Sequence, residues 1–302
     1  MNELTTYERN AIAAIHAWKN PQLGWFGQAM KTINWPLDKA GDKLFTAAGV
    51  GPVIRKSIEG LTSVLNDTAQ WSVRPCAIYT KYRGLGHEIH EAKHVHTLPL
   101  DDVDPVIGWL AAKYKGAALV EGAATGAGGL LGIPPNIIAL LTLNLRAIGE
   151  YATFCGFDIS RQEERLFAMN VLGLASSPTD ASKGLAMAQL VRIARDVAKK
   201  RTWKQLEKHA FVKVIQQISK ALGIRLTKAK LAQVVPAAGA FVGGGFDTYY
   251  TSKVCDACYF LYRERLLAAR YGPDIIEITV DPADTLAPGY PEEDMEIPDE
   301  AS

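Results

Sequence analysis

The chain has 302 residues and a mass of 32.8 kDa, enough for one large domain or two smaller ones with a sizeable core. Hydrophobic residues make up 48% and charged residues 22%, which excludes a wholly disordered or collagen-like chain, and four cysteines are too few for a disulfide scaffold. The formal net charge is +1, and the first 20 residues lack the apolar segment of a secretory signal, so we expect a cytoplasmic protein.

Helical patterns begin near the N terminus and continue along most of the chain. The segment Thr5-Thr6-Tyr7-Glu8 fits a capping box, and similar boxes begin at Ser160 and Thr202. Apolar residues recur at spacings of three and four between Val53 and Leu65, which predicts an amphipathic helix. Because alternating β-branched segments are almost absent, the sequence predicts an all-α fold with a single large helical body.

Four of the six histidines lie between His87 and His96. Within this cluster, His90, Glu91 and His94 form an H-E-x-x-H pattern, which on a helix places two imidazoles one turn apart for zinc and a carboxylate beside them. Glu121 is the only third ligand that the spacing suggests, and Lys93 would place a positive charge beside the metal. A catalytic zinc site, a structural or adventitious metal site and a solvated helix end all remain open.

An uncharged, glycine-rich run extends over 24 residues from Gly122 to Leu145. A helix of this length would cross a hydrocarbon core of about 30 Å. We expect Gly128-Gly129 and Pro134-Pro135 to interrupt it, leaving a helix from Ile137 that is too short to span. The run therefore predicts a hairpin of two apolar helices, which lies at the centre of the protein, enters one membrane leaflet or, as a third alternative, spans the bilayer.

A second uncharged run extends over 16 residues from Leu231 to Phe246 and predicts a second glycine-rich hairpin. Glu121 and Asp247 border the two runs, and we expect them to be buried acids paired with Arg146 or another base. The two runs together predict an apolar cleft lined by Gly122, Gly126, Gly129, Leu130, Ile133, Gly239 and Gly243.

The positive charge of the chain is concentrated between Lys183 and Lys230. This segment contains thirteen Lys or Arg residues and only two acids, which gives a local net charge of +11. Their spacing predicts two amphipathic basic helices, with apolar residues on the opposite face. The predicted anion-binding residues are Arg192, Arg195, Lys199, Lys200, Arg201, Lys204 and Lys208. The alternatives for this face are contact with an anionic membrane surface, with a nucleic acid or with solvent alone. A nucleic-acid interface needs aromatic side chains that stack on bases, and few lie among these basic residues.

Two further features lie towards the C terminus. Cys255 and Cys258 form a lone C-x-x-C pattern in an aromatic helical segment, which favours core thiols over a redox or zinc site. Residues 271–302 contain ten acids and no Lys or Arg, with five prolines. The sequence thus predicts a helical domain over residues 1–270 and a flexible, acidic, proline-rich tail over residues 271–302.

The order of several segments resembles the EcsC family of bacterial proteins. The segments are the opening helix from Tyr7 to Trp18, the glycine-rich run that begins at Glu121, Leu145-Arg-Ala-Ile-Gly-Glu-Tyr-Ala, Gly156-Phe-Asp, the glycine-rich element of residues 239–246 and Phe260-Leu-Tyr-Arg-Glu-Arg-Leu. The resemblance covers about residues 5–270 and implies a mainly helical protein named from an operon that also encodes a transporter. It supplies no catalytic residues.

The charge and hydropathy patterns favour a peripheral protein at the inner face of the cell membrane. The basic helices would bind an anionic membrane surface or lipid, and the apolar cleft would hold a lipid or part of a membrane protein. This hypothesis requires no cofactor. The alternatives are a zinc-dependent hydrolase that uses Glu91 with His90 and His94, and a soluble scaffold that binds protein or, less favoured, nucleic acid.

Overall fold

A computed structural model describes residues 4–19, 49–67, 73–126, 129–176, 180–198, 208–234 and 245–276. These residues form helices and connecting turns without any strand, as the periodicity predicts. The α-helices are α1 (Thr6–Lys19), α2 (Val50–Asn66), α3 (Pro75–Gly84), α4 (Ala92–Val95), α5 (Leu100–Ile107), α6 (Leu110–Gly126), α7 (Gly129–Phe154), α8 (Gln162–Ser176), α9 (Asp180–Ala198), α10 (Lys208–Val234) and α11 (Gly245–Tyr271). A short 3-10 helix, Pro273–Ile275, follows α11.

The capping box at the start of α1 is confirmed. The Glu8 amide donates to Thr5 Oγ1 at 3.1 Å, and the Thr5 amide donates to Glu8 Oε2 at 2.9 Å. Helix α2 also confirms the periodic segment, with Ile54 and Leu61 fully buried.

The box predicted at Ser160 is wrong in detail. Helix α8 begins two residues later, at Gln162, because Asp158 accepts the Ser160 amide at 2.9 Å and Glu163 pairs with Arg161 rather than reaching back to Ser160. The box at Thr202 lies outside the described residues.

Helix α7 runs without a break through Pro134 and Pro135, so the predicted interruption is wrong. The two prolines are the sixth and seventh residues of a 26-residue helix, so the bonds they remove lie close to its start. The rest of α7 packs against α2, α6, α10 and α11, and Ile137, Leu140 and Leu145 are fully buried. Tertiary burial thus compensates for the lost bonds.

By length and composition, Leu130–Phe154 could cross a membrane, contrary to our expectation of a short helix. More than half of its apolar window is buried inside the protein, and buried core helices of soluble proteins have the same length and composition. The α6–α7 pair nevertheless confirms a helical hairpin for the first glycine-rich run. The second run is described only at the end of α10 and the start of α11.

Contacts along α11 fix the directions of the central helices. Glu121 of α6 lies near Asp247, whereas Lys115 of the same helix lies near Asp256, so α6 and α11 are antiparallel. Asn136 of α7 bonds to Asp247, and Asn144 bonds to Thr251 further along, so α7 and α11 are parallel. The last turn of α6 and the first turns of α7 and α11 therefore meet at one end of the molecule, which we call the turn end.

Three consecutive charged residues of α11, Arg263, Glu264 and Arg265, are 2–4% exposed. Arg263 makes a bidentate pair with Asp104 of α5, Glu264 pairs with Lys19 of α1, and Arg265 makes a bidentate pair with Glu164 of α8. Successive residues of an α-helix point about 100° apart. Three helices therefore dock on three sides of α11 through charged side chains.

The turn after α7 explains the Gly156-Phe-Asp segment. Gly156 has φ +80°, and the amides of Gly156 and Phe157 donate to the carbonyls of Thr153 and Ala152 at 3.1 and 2.8 Å, the pattern of a Schellman motif. A Cβ atom at position 156 would lie 2.7 Å from the Ala92 carbonyl oxygen. Glycine is thus required both by the backbone conformation and by the close approach of the chain.

Cys255 and Cys258 lie inside α11, fully buried, as predicted for core thiols. Burial raises the pKa of the Cys255 thiol to about 12 and that of Cys258 well above its usual value. After α11 the described chain continues past residue 270 to Ile276, which is fully buried. Residues 277–302, most of the acidic tail, lie outside the described residues.

Candidate functional site

The H-E-x-x-H segment does not form the helix that the zinc hypothesis needs. Helix α4 has only four residues, and Glu91 precedes it in an extended conformation (φ −144°, ψ 161°). His90 therefore lies outside the helix, although its imidazole still meets that of His94 edge to face, with ring centroids 6.4 Å apart. The predicted helical arrangement is wrong because the chain turns at Glu91 to enter α4.

Charged side chains in this segment pair with one another. Glu91 lies 2.8 Å from Lys93 Nζ and 3.0 Å from His94 Nε2, and His90 Nε2 lies 3.3 Å from Glu88. Lys93 and His94 lower the pKa of the Glu91 carboxyl, with the Lys93 hydrogen bond as the largest cause. Glu121, the predicted third ligand, lies near Asp247 and Lys230 instead.

Across the described ranges, no three His, Cys, Asp or Glu side chains are grouped so that they could hold a metal ion. The fourth histidine, His96, packs against Gly156 and the Phe157 ring, with ring centroids 5.1 Å apart. Burial, and then the positive charge of Arg265, lower the pKa of His96. Its contacts belong to the packing around the end of α7.

The predicted basic face is described only in part. Arg192 is exposed on α9, and Leu190, Val191 and Ala194 are buried on the opposite side of the helix, as the amphipathic pattern predicts. Arg195 and Lys208 lie in α9 and α10, with side chains outside the description. Lys199, Lys200, Arg201 and Lys204 lie outside the described residues altogether.

The two ends of α10 are far apart. Lys208 begins the helix, and Lys230 lies 22 residues later, close to its end, which corresponds to about 33 Å at about 1.5 Å per residue. Lys230 is 8% exposed and pairs with Asp247 at the turn end. The structure thus separates Lys208 from the turn end by the length of this helix.

The residues predicted to line an apolar cleft mostly contribute to packing. Gly122 is buried, Ile133 is 4% exposed, and Leu130 packs against the core. Gly126 ends α6 and Gly129 begins α7, and the surroundings of these two positions are not described. Gly239 and Gly243 lie outside the described residues.

Around the α6–α7 turn, apolar side chains face the solvent. Leu119 is 50% exposed, Val120 is 70% exposed and Leu131 is 83% exposed. We define the turn surface as the exposed described positions of this hairpin between Lys115 and Arg146: Gly116, Ala117, Leu119, Val120, Ala123, Leu131 and Pro135. No member carries a formal charge. This surface was not predicted from the sequence, although the adjacent positions of Leu119 and Val120 signal it. A helix that is buried on one side cannot bury both of these neighbours and Glu121 as well.

Charged side chains border the turn surface on both helices. Lys113 Nζ contacts Glu150 Oε2 at 2.8 Å, and Arg146 Nε lies 3.9 Å from Glu150 Oε1. Lys115 is partly buried near Asp256. The three bases and two acids leave this border with a net charge of +1.

A buried polar cluster lies beneath the turn surface, where four helix ends meet. Asp247 is 1% exposed, pairs with Lys230 and accepts from Asn136 Nδ2 at 3.0 Å. The prediction that Asp247 pairs with a base is confirmed, but the base is Lys230, because Arg146 is exposed beside Glu150. Burial lowers the pKa of Lys230, and Asp247 partly offsets this effect.

Comparison with known proteins agrees with the resemblance read from the sequence. The model of the EcsC protein family matches residues 9–267, so the chain belongs to the EcsC protein family. It is similar to "Uncharacterized protein YdbA" of Bacillus subtilis (strain 168), with 25% identity over 264 residues that cover 86% of this chain and 92% of YdbA. It is also similar to "Protein EcsC" of the same organism, with 24% identity over 180 residues that cover 60% of this chain and 70% of that protein. No solved structure matches the chain.

Proposed function

We propose that this EcsC-family protein is a peripheral membrane protein whose turn surface inserts into one leaflet of a bilayer at the inner face of the cell membrane. The observation that carries the proposal is the exposure of Leu119, Val120 and Leu131 at one hairpin turn. Apolar side chains gathered on a surface typically mark a site of contact with a protein or a membrane.

The charge distribution favours a lipid over a protein partner. Every exposed described position of the hairpin between Lys115 and Arg146 is uncharged, and basic residues stand at the border. Basic side chains at the edge of an apolar surface suit the headgroup region, where their long stems reach back to water and phosphate.

The dimensions of the hairpin are consistent with insertion into a single leaflet. From Lys115 to Gly126, α6 advances 11 residues, or about 17 Å, which is close to half of a hydrocarbon core of about 30 Å. On α7, Leu131 and Pro135 are exposed, and no residue from Ile137 to Leu145 is exposed, since the helix packs against α2, α10 and α11. A deeper position would bring the charged border into hydrocarbon.

The contribution of the basic segment between Lys183 and Lys230 to membrane binding depends on how the protein is oriented against the bilayer. A membrane that lies along α10 would contact both the turn end and the residues near Lys208, whereas a membrane that faces only the turn end would contact the turn surface alone. Attraction to anionic headgroups contributes about 1 kcal/mol per Lys or Arg near the surface and weakens with salt. Binding that resists salt would therefore be assigned to the turn surface.

Co-sedimentation with vesicles tests the proposal. Vesicles of phosphatidylcholine alone and with phosphatidylglycerol are incubated with the wild type, Leu131→Asp and Leu85→Asp. Leu85 is the matched control: it is 57% exposed, and it caps α3 next to Tyr82, whose hydroxyl bonds to the Phe154 carbonyl at the far end of α7, about 34 Å along the helix from Leu131.

We expect Leu131→Asp to lose binding to neutral vesicles and Leu85→Asp to retain it, since a carboxylate is costly in hydrocarbon. Circular dichroism of both variants is the control that tests whether they fold. Equal sedimentation of the wild type and Leu131→Asp would contradict the proposal, and so would a wild type that stays in solution with both kinds of vesicle. In that last case a protein partner of the scaffold hypothesis becomes the better explanation of the exposed surface.

A further inference from the structure

Trp109 is the most exposed large apolar residue among those that the structure describes. It is 87% exposed, at the corner where Gly108 connects α5 to α6. Ile107 and Leu110 on either side of this corner are each 4% exposed, so the core takes up the neighbours of Trp109 and leaves its indole ring outside. The Trp109 carbonyl accepts the Lys113 amide at 3.0 Å, which fixes the residue against the first turn of α6. The ring therefore contributes little to the packing of the described fold.

Trp109 extends the turn surface along α6. Exposed positions follow it at spacings of three and four in a single stripe, which we call the outer face of α6: Trp109, Ala112, Gly116, Val120 and Ala123. Residues 11 apart on an α-helix point within about 20° of each other, so Trp109 and Val120 lie on the same side, about 17 Å apart along the axis. No member of the stripe is charged. The apolar surface of the hairpin thus continues beyond the turn surface to the start of α6.

The order of residues along α6 matches the layers of a bilayer. The aliphatic Leu119 and Val120 lie near the turn, Lys113 lies further from it, and Trp109 lies at the far end. Aliphatic side chains prefer hydrocarbon, whereas tryptophan is enriched at the level of the headgroups, where its ring is in apolar surroundings and its N–H reaches a polar acceptor. The charge of Lys113 is matched by Glu150, 2.8 Å away. This order favours a lipid partner for the whole outer face of α6.

The position of Trp109 determines the tilt of the hairpin against such a partner. Gly126 ends α6 17 residues after Trp109, or about 26 Å along the axis. Half of a bilayer measures about 15 Å without its headgroups and about 20–22 Å with them. With Gly126 at the midplane, an upright α6 would leave Trp109 in water. A tilt of about 40° towards the outer face would bring Trp109 to about 20 Å from the midplane, among the headgroups, and Lys113 to about 15 Å, at the edge of the hydrocarbon.

We infer that the outer face of α6 lies obliquely against the bilayer and that Trp109 is a second anchor of this contact, with its indole ring among the phospholipid headgroups. The inference rests on the proposed function and adds an orientation to it. Leu131 and its neighbours would enter hydrocarbon at the turn, and Trp109 would bind the surface at the other end of α6.

Binding to phosphatidylcholine vesicles tests the anchor. The variants of the full chain are Trp109→Ala and, as a matched control, Leu85→Ala, which also truncates an exposed apolar side chain. Burying about 55 Å² of apolar surface increases affinity about tenfold, and a tryptophan side chain offers about 150–250 Å². We therefore expect Trp109→Ala to bind more weakly by about tenfold or more, and Leu85→Ala to bind as the wild type does. Trp109→Ala should keep the urea midpoint of the wild type, since the ring is exposed.

Fluorescence locates the ring in the bilayer. The chain has six tryptophans, so the emission of Trp109 is obtained as the difference between the wild type and Trp109→Phe. This difference should shift to the blue when phosphatidylcholine vesicles are added. Lipids brominated near the headgroup end of the acyl chain should quench it more than lipids brominated near the methyl end. Stronger quenching from the methyl end would overturn the oblique orientation.

The outcomes separate this inference from the proposed function. Equal binding of Trp109→Ala and the wild type overturns the anchor, and so does an emission difference that vesicles leave unchanged. Loss of binding in Leu131→Asp would in those cases still support insertion of the turn surface alone. If the wild type binds no vesicle, both proposals fail, and a protein partner becomes the better explanation of the outer face of α6.

Discussion

The bidentate pair of Arg265 and Glu164 should be the most sensitive charged contact in the protein. Both N–O distances are 2.7 Å, and the two side chains are 3% and 4% exposed. The guanidinium also lies 4.0 Å from the centroid of the Phe157 ring and 4.3 Å from that of Phe167. Neither ion can turn to water after its partner is removed, so each single substitution leaves a buried charge uncompensated.

The expected magnitude follows from that burial. Removing one partner of a buried pair costs about 3–5 kcal/mol, whereas replacing both by apolar residues of similar volume is often neutral. Glu164→Leu and Arg265→Met should each lower the free energy of unfolding by about 3–5 kcal/mol. The double variant should be less destabilised than the sum of the two, by more than about 1.5 kcal/mol, since no isolated charge remains.

Urea unfolding followed by circular dichroism measures the three variants, and a double-mutant cycle gives the coupling. Lys113→Met with Glu150→Leu is the control cycle, because that pair includes a lysine whose side chain is 56% exposed and should show a coupling below about 1 kcal/mol. Additive effects at Arg265 and Glu164 would refute the reasoning, because they would mean that water reaches the pair.

Two further predictions concern the fold. Gly156→Ala should lower the free energy of unfolding by at least about 2 kcal/mol, because alanine is strained at φ +80° and its Cβ would meet the Ala92 carbonyl; an unchanged urea midpoint would contradict the described turn. Iodoacetamide should modify one cysteine of the native protein, the exposed Cys76, and all four in urea. The other three thiols are Cys155, Cys255 and Cys258, whose pKa values burial raises, and rapid native labelling of any of them, measured by mass spectrometry, would contradict their positions in the core.

Local patterns predicted those parts of the fold that local interactions decide. The capping box at Thr5 and the helix around Ile54 depend on residues three and four apart, and both appear as expected. The prediction that Pro134 interrupts the helix was wrong because the outcome there depends on contacts between distant parts of the chain. A proline early in a helix costs little when the rest of that helix is buried by four neighbours, and those neighbours come from distant parts of the chain.

The candidate site was less predictable, since it depends on which charges meet across the fold. The H-E-x-x-H spacing implies two imidazoles on one helix, yet Glu91 is extended and the helix begins after it. The pairing of Asp247 with a base could be expected from the cost of an isolated buried acid, but the choice of Lys230 required the crossing of α10 and α11. Exposure of Leu131 likewise depends on where the neighbouring helices stop.

The two ends of α11 lie in regions that differ in how much they contribute to the stability of the fold. Near Arg263, Glu264 and Arg265, buried ion pairs hold three helices on one helix, and breaking one of them should lower the free energy of unfolding by about 3–5 kcal/mol. At the other end, the exposed side chains of Leu119 and Leu131 make few contacts, so polar substitutions there should leave stability nearly unchanged. Substitutions at the two ends of α11 should therefore separate the stability of the fold from the proposed membrane contact.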